Sequence, residues 1–146
     1  MSKGGFKELR VWQRAKGLAV SIYKLLSDHG PIRRDFSLAD QMRRSAVSIP
    51  SNIAEGDERD TDKDAVRHFF IAKGSLAELI TQLEIAKDVG LVSGVDIEPI
   101  AQECVEVGKM LGALIKARRR FGLKMAVIGV VSGVVGACLW TWLHNL

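Results

Sequence analysis

Apolar residues recur between positions 6 and 120 at alternating spacings of three and four, and no stretch alternates with a strand's period of two. Val11, Ala15, Leu18, Ile22 and Leu25 form one such seam, and Trp12, Ala19 and Leu26 widen it to the stripe a bundle helix needs. This predicts a first helix over about 6–28, stopped by His29-Gly30-Pro31. A second helix is expected over about 36–55. A third starts where Thr61 caps with Asp64, and it carries the seam Phe69, Ala72, Leu76, Leu79, Leu83 and Ala86, widened by Ile80. Gly90 ends it. The fourth begins near Asp96 and repeats the pattern at Ile97, Ile100, Cys104, Val107, Leu111 and Leu114. It is expected to run on past Arg120, with Gly122 as the one weak point. Short connections between helices of similar length predict an all-α, antiparallel up-down four-helix bundle over 1–120.

The second helix contains QMRRSAVSIPSNIAEGDERD, residues 41–60. At about 100° per residue, with Arg44 as zero, Gln41, Arg44, Ser48, Asn52 and Glu55 fall within roughly 80° of one another. Leu38, Met42, Ala46, Ile49 and Ile53 occupy the other face. The phase persists across Pro50, so one helix with a bend is expected, ended by Gly56. The polar stripe has two readings. It is a hydrogen-bonded seam between helices or subunits, with Arg44 satisfied by Glu55 or a neighbour, or it contacts a ligand or RNA. Ser48 has no histidine at helical spacing, so catalysis has no support here.

From Met125 to Leu143 the sequence MAVIGVVSGVVGACLWTWL carries no charge. A helix of that length reaches roughly the ~30 Å hydrocarbon core of a bilayer. Arg118, Arg119, Arg120 and Lys124 precede it, and Trp140 and Trp142 lie near its far end. The expectation is a single-pass C-terminal anchor, residues 121–146, in the cytoplasmic membrane, with the N-terminal domain in the cytoplasm and the four cations at anionic lipid. Gly129, Gly133, Gly136 and Ala137 would let such helices pack closely.

Charge is segregated. Residues 1–44 hold ten Lys/Arg against four Asp/Glu, and residues 55–106 hold five against thirteen. This fits a basic surface for polyanions, or complementary faces between subunits. Lys3, Lys7, Arg10, Arg14, Arg33 and Arg34 are the candidate nucleic-acid contacts, with few aromatics near them for stacking. The run from Asp60 to Asp64 imitates a calcium loop, but Ala65 stands where the turn glycine is required and Ile71 where the bidentate Glu belongs. His29, His68 and His144 are scattered, and Cys104 and Cys138 form no CxxC. No metal, cofactor or catalytic residue is expected.

The stretch QMRRSAVSIPSNIAEG, with LRVWQRA before it and FFIAKGSLAELITQLEIA after it, resembles the four helix bundle protein family over residues 6–118. That family includes proteins encoded in intervening sequences of bacterial large-subunit ribosomal RNA genes. Accessory variability determinant proteins of retroelements look related. The resemblance implies a non-enzymatic protomer of a homopentamer. It implies that Arg43, Arg44, Ser48, Asn52 and Glu55, with Gly74, Ser75, Glu78 and Gln82 on the third helix, build protomer and oligomer. Gln41 joins them through its place on the stripe. The retroelement relatives bind nucleic acid and a reverse transcriptase through basic surfaces. Two departures from the family stand out: the appended apolar tail, and PIRRD in a connection where acid is usual. The expected function is therefore a membrane-anchored, homo-oligomeric helical scaffold for a macromolecular partner, RNA or a nucleic-acid enzyme. The alternative is an effector whose assembly clusters the anchors and perturbs the bilayer.

Overall fold

A computed structural model of the chain describes residues 5–28 and 30–144, with side chains described as far as Arg120. After a 3-10 turn at Phe6–Glu8 come α1 (Arg10–Asp28), α2 (Gly30–Arg34), α3 (Phe36–Asp57), α4 (Asp62–Asp88) and α5 (Gly94–His144). The four long helices close a ring around one core, α1 and α4 each packing against both α3 and α5. The expected all-α bundle is therefore present, with one element more than the periodicity suggested.

That extra element is α2, where only a stop was expected. Proline suits a helix's first turn, because the N–H it lacks would have no partner there. Pro31 sits in that position, and Ile32 is fully buried beneath it. The first long helix also starts later than expected, at Arg10. Phe6 lies in the preceding 3-10 turn and meets Trp12 edge-on at 5.1 Å between ring centres.

Caps follow the sequence closely. The Asp35 carboxylate accepts from the Leu38 N–H at 3.0 Å, and the Thr61 hydroxyl accepts from that of Asp64 at 3.1 Å. Gly90 adopts φ +75°, and the Leu91 N–H reaches back to the Ala86 carbonyl at 2.8 Å. This is the left-handed close that favours glycine.

Two details depart from expectation. Ile80 is 38% exposed and adds nothing to the core stripe. At the end of the α5 seam Ile115 is buried while Leu114 is only half-buried, because a straight helix drifts out of a seven-residue repeat.

Gly56 was expected to stop its helix. Instead α3 continues through it to Asp57, and Gly56 has no positive φ. Its role is proximity. A Cβ there would stand 2.5 Å and 2.8 Å from two ring carbons of the fully buried Phe69, and 3.1 Å from the Ala65 carbonyl oxygen. The helix also continues through Pro50. Just after that missing donor, the Ser51 and Asn52 side chains donate to the Val47 and Ser48 carbonyls at 2.8 and 2.9 Å.

Among the described residues, no helix is long and apolar enough to cross a membrane. The span expected over 125–143, with Lys124 before it and Gly129, Gly133, Gly136 and Ala137 within it, falls on positions whose side chains lie outside the described residues. The backbone of α5 is one helix of 51 residues, against 27 for α4.

Gly56→Ala is expected to lower stability by about 1–3 kcal/mol, the usual cost of overpacking. Gly74→Ala, whose Cβ meets nothing within 4 Å, is expected to be neutral or stabilising by up to about 1 kcal/mol. Thermal unfolding of the two variants checks both.

Candidate functional site: the polar seam between α3 and α4

Ser45 sits at the border of the α3 polar stripe, at about 100° on the wheel that places Arg44 at zero. A hydroxyl there can enter a core because it bonds its own helix's carbonyls. Ser45 is buried. Its Oγ lies 3.1 Å from the Gln41 carbonyl and 3.2 Å from that of Met42, and it donates across the interface to Gln82 Oε1 at 2.7 Å. One turn on, Ser48 Oγ and Ser75 Oγ meet at 2.8 Å. A further turn on, Asn52 donates to Ser48 Oγ at 3.1 Å and offers its Oδ1 to His68 Nδ1 at 3.3 Å. Three successive turns of α3 are thus bonded to α4.

Six of the ten expected architecture residues, Gln41, Arg44, Ser48, Ser75, Glu78 and Gln82, line one open groove of about 470 Å³ above this seam, with Ser45 at its floor. The other four lie elsewhere. Arg43 turns toward α1, its guanidinium 5.9 Å from the Tyr23 ring centre. Asn52 belongs to the seam below. Glu55 pairs with Arg59 and lies 3.6 Å from His68. Gly74 is exposed on α4. Arg44 is not satisfied by Glu55. It pairs with Asp40 one turn back, and its side chain stays 78% exposed. The three groove serines bond to each other, to amides and to carbonyls, and none is paired with a base that would activate it.

The described members of the candidate nucleic-acid set do not form one surface. Lys7 and Arg10 are exposed at the start of α1, whereas Arg33 and Arg34 project from α2 beyond its other end, some ~28 Å along the helix axis. Arg14 lies between them and is held by Glu103 in a two-pronged contact at 2.6 and 2.7 Å, with Glu106 at 4.0 Å. The Glu103 hydrogen bond raises the guanidinium's pKa. Lys3 lies outside the described residues.

Arg118, expected at lipid, is committed inside the bundle. It bonds the Asp57 carboxylate at 2.8 Å and that of Asp62 at 3.3 Å. Asp57 is fully buried at the C-terminal end of α3, where a helix dipole disfavours an acid. Arg118 compensates and ties α5 to the α3–α4 turn. Arg119 stacks on Phe70 at 5.0 Å, and Arg120 is exposed. Cys104 is buried, and desolvation, reinforced by Glu103, pushes its thiol up to about 11. At neutral pH it is an inert core residue. Among the described residues no group of three potential metal ligands converges.

Residues 7–113 match the family described as 23S rRNA-intervening sequence protein. A crystal structure from Bacteroides thetaiotaomicron, a protein of unknown function from the S23 ribosomal protein family, superposes with a TM-score of 0.66 at 27% identity. It covers 73% of this chain and 98% of its own. No curated protein matches the chain significantly.

Asp57→Asn is expected to cost about 3 kcal/mol, because it leaves a largely buried guanidinium short of its partner. Arg44→Ala, which opens an exposed pair, is expected to change stability by less than about 0.5 kcal/mol. Urea unfolding distinguishes the two. Equal effects would mean that Asp57–Arg118 contributes no more than a surface pair.

Proposed function

The chain belongs to the 23S rRNA-intervening sequence protein family, and from that premise we propose that it is a self-assembling, non-enzymatic helical scaffold tethered to a membrane by its C-terminal segment. The observation that carries the tether is α5. It is one helix from Gly94 to His144, longer than its packing partner α4, and its excess length contains the uncharged run Met125–Leu143. That run lies beyond the residues the family match covers. It is an addition to the shared bundle and the natural source of a property particular to this chain.

Self-assembly is supported by two exposed faces. Between α1 and α3 an open groove of about 480 Å³ has an apolar floor that includes Val20, Tyr23, Val47 and Pro50, with Lys16 and Lys24 beside it. On α5, Val95, Glu98, Gln102 and Val105 recur at three-four-three spacing, all exposed. One copy's valine-bearing stripe, with Glu98 on it, suits the next copy's apolar groove, whose charged lining is Lys16, Lys24 and Asp28. Such a contact is heterologous and closes into a ring when its rotation allows. A homopentamer is the form of that ring taken up here. An RNA-binding role draws less support, since the candidate cations are split between the two ends of α1 and Arg14 is neutralised.

Full-length protein is expected to remain in the membrane pellet after alkaline carbonate extraction, and a chain ending at Arg120 to be released. Release of both would sink the tether. In size measurements, Val47→Glu is expected to shift the assembly toward protomers without unfolding it, because Val47 is 43% exposed in the single chain. An unchanged size would remove the α1–α3 groove from the interface.

A further inference from the structure

A second apolar groove, of about 410 Å³, runs between α4 and α5; on α5 its Lys116 and Arg120 lie five turns, about 27 Å, beyond Glu98 and Gln102 of the proposed oligomer stripe. Its walls are Phe70, Ile115 and Gly112, and the charged residues lining it are Lys73, Lys116, Arg119 and Arg120. No carboxylate lines it. Phe70 is 43% exposed, and Arg119 lies over its ring. This is a concentration of uncompensated cations beside apolar side chains, in contrast to Arg14, Arg44 and Arg118, which all have carboxylate partners.

Position along α5 adds the second argument. Arg120 is five residues before Met125, about 7.5 Å along a helix. The headgroup layer on each side of the hydrocarbon core is roughly 5–8 Å thick. If Met125 enters the hydrocarbon, Arg120 stands in the headgroup layer, Arg119 at its outer edge about 9 Å away, and Lys116 about 13.5 Å away above it. The cations then line a path from the bilayer surface up into the groove.

We propose that the α4–α5 groove is a binding site for an anionic phospholipid, its phosphate held among Lys73, Lys116, Arg119 and Arg120 and its glycerol backbone against Phe70 and Ile115. This rests on the membrane reading above, and it adds a defined site to a tether that would otherwise be indifferent to lipid. It also separates the roles of neighbouring arginines, since Arg118 fastens the bundle while Arg119 and Arg120 face the lipid.

The test uses the full chain reconstituted in vesicles of equimolar phosphatidylcholine and phosphatidylglycerol, then purified in mild detergent, with the retained lipid identified. Wild-type protein is expected to retain phosphatidylglycerol enriched at least about fivefold over the vesicle ratio. K73Q/K116Q/R119Q is expected to lose that enrichment. R33Q/R34Q/K87Q, an equal loss of charge at α2 and the last turn of α4, is expected to keep it. Retained lipid that mirrors the vesicles in the wild type, or equal loss in both variants, would overturn the site while leaving the tether intact. The wild-type comparison of the two lipids needs no variant, so a variant that fails to fold does not blunt the test. Failure of the wild type to enter vesicles of either lipid would overturn the tether, and the site with it.

Discussion

The bundle depends on how closely α3 and α4 approach. Gly56 admits the edge of the Phe69 ring to a distance that no Cβ would allow, and the same two helices are bonded through Ser45–Gln82 and Ser48–Ser75. Small residues set the spacing, and short hydroxyl bonds fill it. Among the described residues every buried side-chain nitrogen or oxygen finds a partner, so these polar groups add specificity without the desolvation penalty of an orphaned donor. The other two long helices pack around this pair. Arg118 of α5 reaches back to Asp57 and Asp62 at the α3–α4 turn, and Arg14 of α1 grips Glu103 of α5.

Local chemistry made much of this legible. Helices α1, α3 and α4, the Thr61 cap and the Gly90 close follow from periodicity and capping rules that act within a few residues. The α3 wheel correctly separated Met42, Ala46, Ile49 and Ile53 from the polar stripe, and all four are fully buried. What escaped depended on partners distant in sequence. The role of Asp57 is set by Arg118, 61 residues downstream, and no local pattern links them. Gly56 read as a helix stop because glycine most often serves there, whereas the approach of Phe69 from another helix sets its role. Ser45 was legible in principle, since a border position and a back-bonding hydroxyl both favour burial. The candidate nucleic-acid set has the same cause: its five described cations, near in sequence, are distributed by the fold between the two ends of α1, and Arg14 is paired with Glu103.

The division of labour along the chain follows. Residues 7–113 carry the shared family bundle, and within them Ser48, Asn52, Ser75 and Gln82 take part in the bonds between α3 and α4. Arg43 at Tyr23 and the apolar floor between α1 and α3 point outward and suit assembly. Beyond the family match, the cations at the end of the bundle divide between an internal clamp and an open groove, and the uncharged run follows on the same helix. Assembly would multiply that tail, because protomers joined through their bundles hold their tails at high effective concentration.

The claim on which all of this rests is that the signature residues bind α3 to α4 and are not a reactive site. A double-mutant cycle across the seam, with Ser48→Ala, Ser75→Ala and the pair, measures it most directly by equilibrium unfolding. A coupling of about 1 kcal/mol is predicted, since Ser48→Ala strands the Ser75 hydroxyl and Ser75→Ala leaves Ser48 Oγ with the Asn52 amide alone. Losses that simply add, with no coupling, would contradict the account and return these residues to the search for a ligand.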